Sequence, residues 1–331
     1  MTDLNAQTTA ARPLLTVLVP VFNEEPNIEP FYAAMLPVLE AWAPRYDVEL
    51  LFTDNHSEDG TFDVLSRLAA GDPRIRVLRF SRNFGFQRSI LTGYLEARGA
   101  AARQIDVDLQ DPPALLLKFV ERWEQGVTVV YGVRRGRREG TAITLMRKAF
   151  YRLIDRLADT RLPLDAGDFR LVDRVVLDEL RRIDDYHPYL RGAIAAMGFR
   201  QEGIVYDRAE RSRGESKFRF GALVNLALDG ILSHSVVPLR LATFTGLAVS
   251  LLTVLGIGAY IVGRLLFGQD WPAGFATVTV LVLLSLSLNA MFLGIIGEYL
   301  GRIYQQVKRR PISIIERRLP AVDDPPGRRH G

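Results

Sequence analysis

Two uncharged apolar stretches near the C-terminus constrain this chain more than any other feature. Residues 241–263, LATFTGLAVSLLTVLGIGAYIVG, run for 23 positions without a formal charge, and residues 271–297, WPAGFATVTVLVLLSLSLNAMFLGIIG, run for 27. A bilayer core of about 30 Å needs roughly 20 apolar helical residues, so each stretch is long enough to cross. A pair of buried core helices is the alternative, but helices of globular domains rarely run so far without a polar face. The connection RLLFGQD (264–270) is too short for a domain, so the sequence predicts a hairpin within 236–300, with spans over about 241–263 and 272–297. Arg240 precedes the hairpin, and Arg302, Lys308, Arg309 and Arg310 follow it. Positive charge favours the cytoplasmic side. The first dozen residues, expected to be disordered, lack an apolar signal core. A multi-pass protein of the cell (inner) membrane is therefore expected, with its large N-terminal region, both termini and a basic tail (301–331) in the cytosol. Residues 218–235 carry Phe220, Leu223, Val224, Ala227, Leu228 and Ile231 on one helical face. That suits either an interfacial helix or an amphipathic helix packed on a soluble domain.

The first 210 residues are of another kind. Apolar runs at 14–21, 48–54, 75–80, 103–108 and 127–132 read as strands, the first three buried on both faces. Helical patterns lie between them, near 27–42, 60–70, 86–98 and 112–125. This alternation predicts an α/β domain over 13–217, with a mostly parallel sheet covered by helices. Ligands of such sheets bind beyond the C-terminal ends of the strands. Three of those ends are acidic: PVFNEE (20–25), DNHSEDGT (54–61) and DVDLQDPP (106–113). Helix capping, with Ser57 or Asp59 as an N-cap and Pro112 at a helix start, accounts for one such residue per loop. It does not account for acid at all three.

On a strand, residues two apart point the same way, which aims Asp106 and Asp108 at one point and turns Val107 into the core. With the amide oxygen of Gln110 they form an all-oxygen set suited to Mg²⁺ or Mn²⁺ rather than zinc. Mg²⁺ commonly takes one or two carboxylates and completes its shell with water and substrate phosphates, so the cluster predicts a diphosphate-bearing substrate. The chain has no cysteine, which excludes disulfides and cysteine-based zinc sites, and its net charge of +4 does not mark a nucleic-acid binder.

Taken together, VPVFNEE (19–25), DNHSEDGT (54–61), SRNFG (81–85), DVDLQDPP (106–113), YGVR (131–134), DAGDFRLVDR (165–174) and RSRGESKF (211–218) make the chain resemble a membrane-anchored family 2 glycosyltransferase of the polyprenyl-phosphate glycosyltransferase type. That group includes dolichyl-phosphate mannose synthases and bactoprenol glucosyltransferases. The resemblance spans roughly residues 13–310 and implies a GT-A (Rossmann-like) fold with a nucleotide-sugar donor. Pro20, Phe22, Glu24, Phe52 and Asp54 would line the nucleotide pocket with Asp106, Val107 and Asp108. Asp106, Asp108 and Gln110 would hold Mg²⁺ or Mn²⁺. Arg134, Arg211 and Lys217 match positions that meet phosphate, which suits a bidentate guanidinium and a point-charge ammonium. Arg135, Arg137 and Arg138 are either part of the same loop's function or a solvated or lipid-facing basic run. Asp168, expected at the site with Asp108 and Arg134, would orient the acceptor, bind sugar hydroxyls or hold Arg170; a structural ion pair is the alternative. Asp165 is a weaker candidate for the same chemistry.

The resemblance implies inverting transfer of a hexose, glucose from UDP-glucose in the first instance, to undecaprenyl phosphate. UDP-GlcNAc, GDP-mannose or a formylated aminoarabinose donor are the alternatives within the type. A processive polysaccharide synthase would need more helices and a Q-x-x-R-W motif that the sequence lacks. A non-enzymatic membrane scaffold would give no reason for the acidic strand ends. Gly246, Gly256 and Gly258 allow close helix packing, so a homo-oligomer is expected.

Overall fold

Continuous apolar runs become strands buried on both faces. The computed structural model describes residues 12–135, 166–183, 190–207, 237–267, 274–308 and 310–320. The expectations for residues 1–11 and 218–235, and for Arg137, Arg138, Asp165, Arg211 and Lys217, lie outside the described residues. The chain divides into two units, one holding the sheet and the other the two long helices.

In the first unit β1 (Leu14–Val21), β2 (Asp47–Asp54), β3 (Ile75–Phe80), β4 (Ala101–Gln104), β5 (Val129–Arg134), β6 (Ala166–Asp173), β7 (Gln201–Tyr206) and β8 (Ile315–Leu319) form one sheet in the order β7-β5-β6-β4-β1-β2-β3-β8. The pairs β4-β1, β1-β2, β2-β3 and β5-β7 are parallel, whereas β6 runs antiparallel to β4 and β5, and β8 antiparallel to β3. Helices α1 (Glu25–Trp42), α2 (Thr61–Gly71) and α4 (Leu115–Glu124) share one core, which includes Leu15, Val17 and Val19 of β1. Helices α3 (Phe86–Glu96), α5 (Arg174–Leu180) and α6 (Leu190–Ala196) share the other, which takes Leu18 from the opposite face of the same strand. Alternate residues of β1 thus point into different apolar layers, which is why the run reads as unbroken.

Two expectations change. Strand β4 stops at Gln104 instead of reaching residue 108, because Val107–Leu109 bend into a turn in which Leu109 takes φ 57°. The C-terminal tail is also more than a tail. Residues 315–319 add β8 to the sheet, with Ile315 and Leu319 half-buried and three charged residues between them exposed. Arg318 grips Glu96 through two bonds of 2.7 and 2.8 Å, and the Thr92 and Ser313 hydroxyls meet at 2.7 Å. A five-residue strand made of IERRL has no periodicity long enough to stand out in sequence.

The topology sets up one edge. Strands β1, β2, β4, β5 and β7 all end there. Because β6 is reversed, its first residues begin there as well.

In the second unit α7 (Val237–Phe267) and α8 (Phe275–Val307) are 31 and 33 residues long. The two touch where a Cβ added to Gly246 would lie 3.6 Å from the ring of Phe292. Residues Leu284–Gly301 of α8 are long and apolar enough to cross a membrane by length and composition. Large apolar side chains such as Leu247, Leu265, Leu286 and Leu293 are exposed on both helices.

Candidate active site

Three loops leave the sheet edge after β1, β2 and β4, and each contains one non-glycine residue with positive φ: Asn23 (54°), His56 (64°) and Leu109 (57°). Asparagine and histidine tolerate this region, but a leucine there is an outlier. Such strain persists only where surrounding contacts over-determine it.

The first two loops are tied to each other. The Asn23 N–H donates to Ser57 Oγ at 2.9 Å, and the Glu58 N–H returns a bond to Asn23 Oδ1 at 2.8 Å. The Glu24 N–H donates to Thr61 Oγ1, and Glu25 Oε2 accepts from the Gly60 N–H. Asp59 accepts from both the N–H and the hydroxyl of Thr61, and these bonds hold its pKa low although burial works the other way. Asp54 is wholly buried; its Oδ1 accepts from the Ser57 N–H, and Arg79 stands 3.5 Å from its Oδ2. Capping and clipping therefore account for more of these two loops than one residue each. The SRNFG segment joins the assembly. Asn55 donates to Asn83, accepts from the Phe84 N–H, and Gly85 turns the chain at φ 93°.

Between these loops and the β4 turn lies a cleft of about 340 Å³. Pro20, Phe22, Glu24, Asp106, Val107 and Asp108 all line it. The two aspartates thus reach one cleft, and Val107 is buried between them, but a turn achieves this and not strand alternation. Phe52, Asp54, Gln110, Arg134 and Asp168 are not among the residues that line the cleft. Phe52 is fully buried in an edge-to-face contact with Phe31, and Asp54 is engaged under its own loop. Gln110 lies beside Asp108, and its backbone N–H donates to Asp108 Oδ1 at 3.1 Å.

Burial, then the neighbouring carboxylates Asp111, Asp108 and Asp168, push Asp106 up to about 7, even though Gln104 donates to it at 2.6 Å. Desolvation and like charge both penalise the ionised form. Among the described residues no group of three or more His, Cys, Asp or Glu side chains is arranged to hold a metal ion.

The reversed strand brings in Asp168. Gln104 pairs with Arg170 across β4 and β6, which sets the start of β6 beside the β4 turn. Arg191 clasps Asp168 with two bonds of 2.9 Å, and Gln87 adds one of 3.2 Å. Burial would raise this carboxyl, but Arg191, Arg170 and Gln87 hold it below its ordinary value. Asp168 is thus a buried carboxylate paired with Arg191.

Arg134 ends β5 and is register partner to Tyr206 at the end of β7. Its Nη2 stands 3.8 Å from Asp111 Oδ2, and its Nε donates to the Tyr206 hydroxyl at 3.4 Å. Tyr206 in turn donates to Asp111 Oδ1. Burial acts to lower the Arg134 pKa, but Tyr206, Asp111 and Asp106 raise it. Arg135 faces outward, opposite Asp207 at 3.5 Å. Asp111, Tyr206 and Arg191 were not expected as site residues. A third carboxylate in one loop was the available signal for Asp111. Tyr206 and Arg191 had none, because their roles depend on strand order and on pairing with distant residues.

Residues 16–181 match the model of Glycosyl transferase family 2. The chain is 39% identical over 307 residues to a protein of Bacillus subtilis (strain 168) named uncharacterized glycosyltransferase YkcC, covering 91% of this chain and 93% of that one. It is 36% identical over 306 residues to the SfII prophage-derived bactoprenol glucosyl transferase of Shigella flexneri, covering 92% and 97%. Among solved structures, the mannosyltransferase PcManGT from Pyrobaculum calidifontis in complex with GDP-Man and Mn²⁺ aligns with a TM-score of 0.42 at 17% identity, over 91% of this chain and 87% of that one. With its mixed α/β sheet of GT-A type and this family match, the chain belongs to glycosyl transferase family 2 and is a glycosyltransferase.

Proposed function

We propose that the protein transfers a hexose, glucose from UDP-glucose in the first instance, to a polyprenyl phosphate at the cytoplasmic face of the membrane, with inversion at the anomeric carbon. The observation that carries the chemistry is that Asp106 and Asp108 line one cleft at the sheet's C-terminal edge. The acceptor class is carried by relatives named bactoprenol glucosyl transferase, together with the long apolar helices and their exposed leucines. On this reading α7 and α8 form the membrane hairpin.

A divalent cation fits the donor set. Two carboxylates face one cleft, and the Asp106 carboxyl is disfavoured as an anion by burial and then by its neighbours. Mg²⁺ or Mn²⁺ prefers oxygen ligands and needs few from protein when phosphates supply the rest. Asp106 and Asp108 would hold it, with Gln110 the adjacent candidate. Such an ion, when bound, offsets charge on the departing nucleoside diphosphate.

The protein's own groups do the remainder. Pro20, Phe22 and Glu24 shape the wall for the nucleoside, and the buried Asp54 supports that wall through Ser57. Arg134 meets donor phosphate oxygens, with Arg211 and Lys217 as further phosphate partners. A lipid phosphate is already ionised at neutral pH, so no strong base is required. Asp168, paired with Arg191, serves to orient groups at the cleft and to keep a cation near the incoming phosphate.

The test is a panel of radiolabelled nucleotide sugars, incubated with undecaprenyl phosphate and the detergent-solubilised full chain, scored for lipid-soluble label. Label from UDP-glucose, abolished in Asp108→Ala, is the expected result. Label from a different donor corrects the sugar, and no transfer from any donor defeats the proposal.

A further inference from the structure

We infer that Tyr206, acting with Asp111, is a positioning residue for Arg134, fixing its guanidinium so that it meets the donor diphosphate from the side of the β5–β7 pair. This deepens the function proposed above and rests on it.

The three groups come from three segments distant in sequence. Arg134 and Tyr206 end neighbouring parallel strands as register partners, and Asp111 closes the turn after β4. The tyrosine ring is itself held. It lies 5.8 Å from the Phe169 ring, which packs 4.9 Å from Phe119. Gly132 makes the seat, because a Cβ there would lie 2.7 Å from the Tyr206 ring and 2.9 Å from the Phe169 ring. The glycine of the YGVR motif is thus explained by Tyr206, which stands 74 residues further along the chain.

A phenol can donate one hydrogen bond and accept others. Here it donates to Asp111 and accepts from Arg134 Nε, while the second oxygen of Asp111 faces Nη2 of the same guanidinium. One edge of the guanidinium is therefore aligned by two groups, each almost fully buried: Asp111 is 1% and Tyr206 6% exposed. The Arg134 side chain keeps 23% of its surface exposed. A pre-aligned arginine loses less rotamer freedom when it binds phosphate. A hydroxyl and a carboxylate this deep carry a desolvation cost that an apolar pair would avoid, which is the reason to look for a use beyond packing.

The experiment is a double-mutant cycle on the full chain. Tyr206→Phe keeps the ring and its contacts and removes only the hydroxyl. It is compared with Arg134→Ala and with the double variant. The readouts are UDP affinity by calorimetry in Mn²⁺, KM and kcat for transfer, and the thermal midpoint.

The single tyrosine variant should weaken UDP binding and raise KM for the donor about tenfold, with kcat changed less. In the Arg134→Ala background the same substitution should change neither by more than about twofold. Should Tyr206→Phe fail to fold, Asp111→Asn takes its place, since it keeps an acceptor for the phenol and removes the charge facing Arg134; the same non-additivity is expected. Multiplying penalties, or a Tyr206→Phe protein that binds UDP as the wild type does, overturns the inference and leaves the proposed function standing. A wild-type protein that binds neither UDP nor GDP and transfers label from no donor overturns both.

Discussion

Two acidic regions share one edge of this sheet and sit in different surroundings. In the loops after β1 and β2, Glu25, Asp54 and Asp59 accept backbone N–H groups from their own or the facing loop. In the turn after β4, Asp106 and Asp108 open onto a cleft and crowd other carboxylates. The difference lies in the surroundings. Asp59 accepts two backbone N–H groups, whereas Asp106, although Gln104 donates to it, is pushed up by burial and by the carboxylates of Asp111, Asp108 and Asp168, a charge that a cation would offset. Composition alone does not separate the two, since each region is comparably acidic.

Substitutions can break this contrast, and the largest effect should come from the cleft. Asp108→Ala should lower transfer by about 100-fold or more, while the thermal midpoint moves by no more than about 2 °C; parallel activity and calorimetric melts check it. Next is Gly132→Ala, where overpacking against Tyr206 and Phe169 should cost about 1–3 kcal/mol in denaturant unfolding and reduce transfer as Arg134 loses its alignment. Asp59→Ala should do the reverse of Asp108→Ala. It should cost about 1 kcal/mol of stability through the lost Thr61 bonds and leave transfer per folded molecule within about threefold.

The smallest effect concerns Asp72, far from the cleft in sequence and held by Arg74, Tyr32 and the Arg74 N–H. Burial works to raise its pKa, but these bonds bring it down to about 2 from 3.8. A depressed carboxyl stabilises the fold above its unfolded value and loses that contribution as pH falls toward its folded value. Between about pH 4 and 2 the wild type should therefore lose on the order of 1 kcal/mol that Asp72→Asn does not lose. Acid titration of the two proteins by circular dichroism measures the difference.

How much of this was legible follows the range of the interactions. Strand β1 stands in the sequence because two-sided burial leaves an almost unbroken apolar run, while β2 and β3 read as strands despite Glu49 and Arg76, which are buried as a 2.9 Å ion pair between them. That Asp106 and Asp108 line one cleft follows the strand-end rule for parallel sheets, whereas Pro20, Phe22, Glu24 and Val107, which line it too, were expected there only from the family resemblance. The reversal of β6, which sets Asp168 next to Asp106, was not legible, since strand direction is decided by pairing with residues far away. Tyr206 was missed for the same reason, and β8 because five residues carry no period. Phe52 shows the converse limit. A residue two positions from a functional loop still points into the core when the pleat turns it there.

The central claim is that the β4 carboxylates, and not the clipped ones, carry the donor diphosphate on a divalent ion. Calorimetric titration of UDP in Mn²⁺ into the wild type, Asp106→Asn/Asp108→Asn and Asp59→Asn tests it most directly. The account predicts Mn²⁺-dependent binding to the first, a loss of about 100-fold or more in the second, and near wild-type affinity in the third. Wild-type affinity in the doubly substituted protein would contradict it.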